Sequence, residues 1–283
     1  MKFSICNEIF RDWDLREIFR TARKTGYDAV EIAPFTLADS VEEISRAERA
    51  RIRAMAAEEG IALSAIHWVL VKPEGLYINH PDRAIREKTS KYFIELVDFC
   101  ADIGAKAIVV GSPNQRRVLE NVSFEDARAW ALETFRAAVG RAREREVTLC
   151  LEPLSAAETN FINTAREAID FTRELDNPAF KIILDVKAMC SEGRPLPEII
   201  RESKGYFAHF HANDRNLKGP GFGDVDFVPI LRALKEVGYE GYVSVEVFEF
   251  EEGAEVIASR SLETLQRAWQ EVLRQANTRE ANG

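Results

Sequence analysis

Three carboxylates and one imidazole in the second half of the chain are placed to do chemistry: Glu152, Asp185, His211 and Glu246. They fall late in four apolar stretches, VTLCLEPLS (147–155), KIILDVKAM (181–189), YFAHFHAND (206–214) and GYVSVEVFEF (241–250). β-Branched and aromatic residues dominate these stretches, so each reads as a buried strand. Strand side chains alternate with a period of two. Glu152 therefore shares a face with Cys150 and Thr148, and Glu246 shares one with Ser244. Leu149, Leu151, Val243, Val245 and Val247 point the other way, as do Ile182 and Leu184 around Asp185 and Ala208 and Phe210 around His211. The aliphatic faces would pack under helices, and the polar faces would converge. A single carboxylate at a strand end is ordinarily solvated. Four such positions in four successive strands call for a counter-charge, and one divalent metal ion supplies it most simply. The set is hard and oxygen-rich, which favours Mn²⁺, Mg²⁺ or Co²⁺ over zinc of the kind held by thiolates or several His, with Zn²⁺ itself a further alternative. Mn²⁺ is the first choice, because it accepts an imidazole more readily than Mg²⁺ does.

The elements that must position these residues follow one rhythm. KFSICNEIF, YDAVEIAPF (27–35), IALSAIHWV (61–69) and AKAIVVGSP (105–113) are strands one to four, and the four stretches above are strands five to eight. The amphipathic run DLREIFRTARKTG ends at Gly26, a helix stop. Helices are expected over 41–60, with Ile44, Ala47, Ile52 and Met55 inward, over 82–104 and 124–147, and near 164–175, 195–203, 228–237 and 254–275. Eight strand–helix units in an unbroken chain point to a single (β/α)₈ TIM barrel, an α/β fold over residues 1–277 with a frayed tail at 278–283. A doubly wound sheet is the runner-up, but it would carry a Gly-rich turn after the first strand, and CNEIFRDWD has none. In a barrel the C-terminal strand ends carry the site. Glu31 and His67 lie there as well as the four metal candidates.

Composition narrows the function. The 283 residues are 46% hydrophobic and 30% charged, as expected of a globular enzyme. A net charge of −9 argues against nucleic acid or an anionic membrane as partner. Cys6, Cys100, Cys150 and Cys190 are scattered without a CxxC pair, which predicts reduced, buried thiols. The N-terminus lacks the apolar core of a signal peptide, and no apolar run nears about 20 residues. A cytoplasmic enzyme is the expectation.

The stretches LCLEPL, ILDVKAM, HFHAND with GPGFGDVDF, and VSVEVF resemble the sugar phosphate isomerase/epimerase family with the xylose isomerase-like barrel. That family includes ketose 3-epimerases, hydroxypyruvate isomerase and inosose dehydratase. The resemblance runs from GYDAVEI to VSVEVF, nearly the whole chain. It implies one divalent metal on Glu152, Asp185, His211 and Glu246, with the two glutamates as base and acid on opposite faces of a small ketose or keto-sugar. It also implies that Glu158 contacts sugar hydroxyls and that the protein is a homo-oligomer, a dimer or tetramer. Return of the proton to the opposite face gives epimerisation, return to the adjacent carbon gives isomerisation, and loss of a β-hydroxyl gives dehydration of a keto-inositol. The family usually has a His three residues after the Asp ligand, where this chain has Ala188. Lys187, two residues past Asp185, would share its strand face and supply a cation, or be a solvated rim lysine.

Other residues read two ways. His67 is a substrate contact or a structural histidine, and Trp68, of opposite parity, packs. His209, one layer below His211, is a core histidine, and His80 is inert. Glu31 faces inward as substrate contact or support. Arg116 and Arg117 are solvated or surface-paired, or one reaches over the mouth to a phosphate or sugar acid. Arg215 contacts a substrate oxygen or solvent. GPGFGDVDF is a tight loop without P-loop spacing, in which Phe222 caps the pocket or anchors the loop. Two further classes remain. An endonuclease IV-like nuclease would need many His, and the chain has 4. A non-catalytic barrel would not need the full ligand set, though Ala188 is compatible with one.

Overall fold

The structure, a computed structural model, describes residues 1–281. Eight short strands run parallel and close into a barrel in chain order. They are β1 (Lys2–Cys6), β2 (Ala29–Ile32), β3 (Ala62–Ile66), β4 (Ala107–Val110), β5 (Thr148–Leu151), β6 (Phe180–Asp185), β7 (Phe207–Ala212) and β8 (Tyr242–Val245). β8 returns to β1 with Ser244 opposite Ser4. The helices are α1 (Leu15–Thr25), α2 (Arg46–Glu58), α3 (Arg83–Ile103), α4 (Phe124–Arg145), α5 (Ala165–Leu175), α6 (Val186–Cys190), α7 (Leu196–Glu202), α8 (Phe227–Val237) and α9 (Ala254–Ala281). Gly26 stops α1 in the left-handed conformation at φ 110°, which costs glycine little.

The differences from the sequence expectation are local. Residues 41–60 do not form one helix. Ser45 and Glu48 make a reciprocal capping box that starts α2 at Arg46. Ile44 is therefore buried from an extended segment, and Ala47 is exposed. The strands stop two to five residues short of the ends of their apolar runs, because the chain leaves the sheet there for loops, 3₁₀ turns or a helix. α6 was not foreseen: KIILDVKAM is strand only to Asp185 and helix afterwards. Ala208 does not face the helices but packs against the barrel interior, because the β6–β7 pairing slips between Ile182 and Ile183. α9 runs on to Ala281, and of the tail expected at 278–283, residues 282–283 lie outside the described residues.

Two apolar layers hold the barrel. A broad one between strands and helices includes Phe93, Phe99, Phe135, Phe171 and Phe180. A small one inside the barrel holds Ala65, Ala107, Val109, Cys150 and Ile183. These short side chains fill the bore, so the polar groups collect above them at the C-terminal mouth.

Candidate metal centre

Glu152, Asp185, His211 and Glu246 converge as their strand ends dictate. Each offers one atom, and the four atoms lie within 4.8 Å of one another. All four side chains are buried. Burial pushes the Glu152 carboxyl up to about 8, and the charges of Asp185 and Glu246 add to this. Burial also raises Asp185. His211 and Lys187 offset part of this, and against its burial His211 holds Glu246 below the usual range, but the two raised carboxyls are groups that a bound cation would relieve.

The geometry fits one. His211 Nδ1 and Glu246 Oε2 stand 3.0 Å apart, yet neither has a hydrogen-bond partner. A hydrogen bond needs the oxygen on the N–H axis. Two neighbouring ligands of one ion, with bonds of about 2.1 Å at right angles, also stand about 3 Å apart without that alignment. Glu152 needs room as well: a Cβ on Gly111 would lie 1.8 Å from its Oε2. The set suits a divalent metal.

A second layer of polar groups supports the ligands. Glu31, fully buried, lies 3.0 Å from His211 Nε2 and 2.8 Å from His209 Nε2. With Nδ1 left for a metal, the network assigns the proton to Nε2 and directs it to Glu31. Burial opposes ionisation of Glu31, but His209, His211 and His67 hold its carboxyl well below the usual range. Asp185 Oδ1 accepts from the Ala188 N–H at 2.7 Å, and Oδ2 accepts from Asn213 Nδ2 at 2.6 Å. Trp68 Nε1 donates to Glu246 Oε1 at 3.0 Å.

His209 is the core histidine expected, and Glu31 is the support rather than an open contact. His67 is buried between Glu8, 2.9 Å away, and Glu31, 3.4 Å away. Burial alone would lower its pKa, but the two carboxylates carry it up to about 9. Lys187 is neither on a strand face nor a solvated rim residue. It is the second residue of α6, its Nζ lies 2.7 Å from Glu158 Oε1 and 4.0 Å above the Phe248 ring, and its side chain is 11% exposed. Trp68 does not simply pack: β3 has ended, φ is 54°, and strand parity no longer applies.

Arg116 does not reach over the mouth. It is buried, with Nη1 donating to the Glu152 carbonyl at 2.5 Å and Nη2 to the Val110 carbonyl. Arg215 is exposed. Phe222 anchors its loop beneath the Arg260 guanidinium, 4.4 Å away. Glu8, Asn213 and Gly111 were not found by sequence reasoning. For Glu8 there was a signal: a polar pair, Asn7-Glu8, interrupts an apolar run at the mouth end of the first strand.

A closed parallel barrel with a buried carboxylate–imidazole cluster at its C-terminal mouth defines a TIM barrel whose site suits a divalent metal. The xylose isomerase-like TIM barrel family matches residues 19–270, and the chain belongs to that family. Among its relatives, the D-psicose 3-epimerase of Ruminiclostridium cellulolyticum is 27% identical over 242 residues, covering 84% of this chain and 80% of that one. The ketose 3-epimerase of Arthrobacter globiformis is 29% identical over 241 residues, 83% of this chain and 78% of the relative. The structure of 3-keto-D-glucoside 4-epimerase from E. coli superposes with a TM-score of 0.81 at 24% identity, covering 94% of this chain and 99% of that one, which is a likeness of fold. No helix among the described residues is long and apolar enough to cross a membrane.

Proposed function

We propose that this protein is a divalent-metal-dependent 3-epimerase of a small ketose, with Glu152 and Glu246 as its acid–base pair. The observation that carries the reading is the cluster itself, in which carboxylates from β5 and β8 flank the Asp185 and His211 ligands. The curated relatives named as D-psicose and ketose 3-epimerases support the substrate class. A bound divalent ion, Mn²⁺ by preference and Mg²⁺ or Co²⁺ otherwise, would supply Lewis-acid polarisation of the ketose carbonyl.

The chain's own groups would do the rest. One glutamate takes the C3 proton, and the electron pair moves into the C2–C3 bond and onto the carbonyl oxygen. The other glutamate then returns a proton to C3 from the opposite side, so one carboxylate gains a proton and its partner loses one. Trp68 fixes the Glu246 carboxylate for this exchange. Lys187 and Glu158, paired at the mouth, would take sugar hydroxyls where Ala188 has no ring to offer. Arg116 is committed to backbone carbonyls, so the reading is a free rather than a phosphorylated sugar. It carries with it a cytoplasmic homo-oligomer, dimer or tetramer.

The test uses metal-stripped protein reloaded with Mn²⁺, Mg²⁺ or Co²⁺ in D₂O, given D-fructose, D-psicose, D-tagatose and L-ribulose. Deuterium at C3 together with the C3 epimer is expected, and E246Q should reduce both to background with the fold intact by circular dichroism. Loss of water in place of epimer would make the enzyme a dehydratase. No exchange in any metal-loaded form would refute the reading.

A further inference from the structure

A cavity of about 1000 Å³ opens beside the metal cluster. Its walls are the 3₁₀ turns Asn7–Ile9 and Pro34–Thr36, the start of α1, and the segments that follow β3 and β8. Six aromatic residues line it, Phe10, Trp13, Phe35, Trp68, Phe248 and Phe250, the last with the Arg11 guanidinium 3.8 Å from its ring. Two of them join it to the site. Trp68 lines the cavity while its Nε1 holds Glu246, and Phe248 lines it while carrying Lys187 on its ring.

The size does not suit a free monosaccharide. Pockets of about 300–1,000 Å³ enclose drug-sized ligands, so a hexose held at the metal cluster would leave most of this one empty. The lining suits a second sugar ring. Aromatic faces are electron-rich and meet the C–H face of a pyranose, and Asp12 lines the same cavity, as does Lys72, whose Nζ lies 2.8 Å from Asp39 Oδ1.

We propose that the substrate is a glycosyl-ketose. Its ketose end, with a free C2 carbonyl, occupies the metal cluster, and a sugar ring linked through O4 or O6 stacks on the aromatic wall. This rests on the ketose epimerase reading and narrows its substrate. The linkage leaves C2 and C3 unsubstituted, so the proton exchange at C3 is unaltered.

The experiment compares D-fructose with lactulose, maltulose and isomaltulose on the Mn²⁺-loaded protein, by C3 epimer formation and by tryptophan fluorescence titration. At least one disaccharide should show kcat/KM roughly tenfold or more above fructose, with the gain mostly in KM. W13A, which removes one ring of the wall, should cut that ratio about tenfold. V71W narrows the exposed rim, where Val71 is 41% exposed. It should cut the ratio similarly and does not depend on W13A folding. Disaccharides no better than fructose, or a ratio that neither variant moves, would overturn the proposal while leaving ketose epimerisation standing. Absence of metal-dependent exchange with fructose and disaccharides alike would instead remove the epimerase reading on which it rests.

Discussion

At the scale of single residues, ligands are only as good as the groups that aim them. His211 can present Nδ1 to a metal because Glu31 takes its other nitrogen, and the same carboxylate also holds His209. Supports of this kind typically govern metal affinity by about 10–100-fold. E31Q keeps the shape and removes the charge, so it should weaken Mn²⁺ binding by that factor in a calorimetric titration, with little change in the far-ultraviolet circular dichroism. Affinity equal to wild type would mean that Glu31 only fills space. Trp68 acts on the other side of the site, through its single bond to Glu246. A hydrogen bond to a charged group is worth about 1.5–3 kcal/mol. W68F keeps an aromatic ring but removes the N–H, so it should lower kcat on a ketose by roughly 10–100-fold and, because Glu246 is also a candidate ligand, weaken metal affinity by a smaller factor. Equal losses in both would point to a general disturbance of the pocket.

At the scale of elements, the strands could be read before the structure and the connections could not. Alternation placed Glu152 above Cys150 and Glu246 above Ser244 because those strands are regular up to the ligand. The same rule misplaced Ala208 at a slipped pairing, and it misassigned Lys187 and Trp68, where the strand had already ended. The loops lack a period, so nothing in the sequence marks Arg116 as internal. It ties the end of β4 to the end of β5 through the Val110 and Glu152 carbonyls, and burial lowers its guanidinium to about 10. R116M would take a donor from both carbonyls, leaving the Glu152 carbonyl without the guanidinium while the Val110 carbonyl keeps the Glu152 N–H at 3.1 Å. A loss of about 2–3 kcal/mol in urea unfolding is expected, together with reduced metal retention, because the Glu152 backbone loses its anchor. An R116M variant as stable as wild type would show that the carbonyls find other donors.

At the scale of the whole molecule, the mouth of the barrel is a store of unbalanced charge that links stability to pH and to metal. In the metal-free protein the Glu152 carboxyl stands at about 8, raised by burial and then by Asp185 and Glu246. His67 stands at about 9, because Glu8 and Glu31 override its burial. Both groups bind protons more tightly in the folded than in the unfolded chain. Their contributions are present below the ordinary pKa values and are lost as pH rises through about 8 and about 9. Glu31 and Glu246 are shifted the other way, but their contributions are complete once pH is well above the usual carboxylate range. From about pH 6 to about pH 8.5 the net effect is a loss. A dication bound by Glu152 replaces its proton, so binding releases protons and strengthens with pH. The melting temperature of the metal-stripped protein should therefore fall over this range, and the increase on adding Mn²⁺ or Mg²⁺ should grow. A metal-induced increase that is constant across the range would show that no proton leaves the cluster on binding. Glu152 would then be ionised before the metal arrives, and some other buried cation would be balancing it.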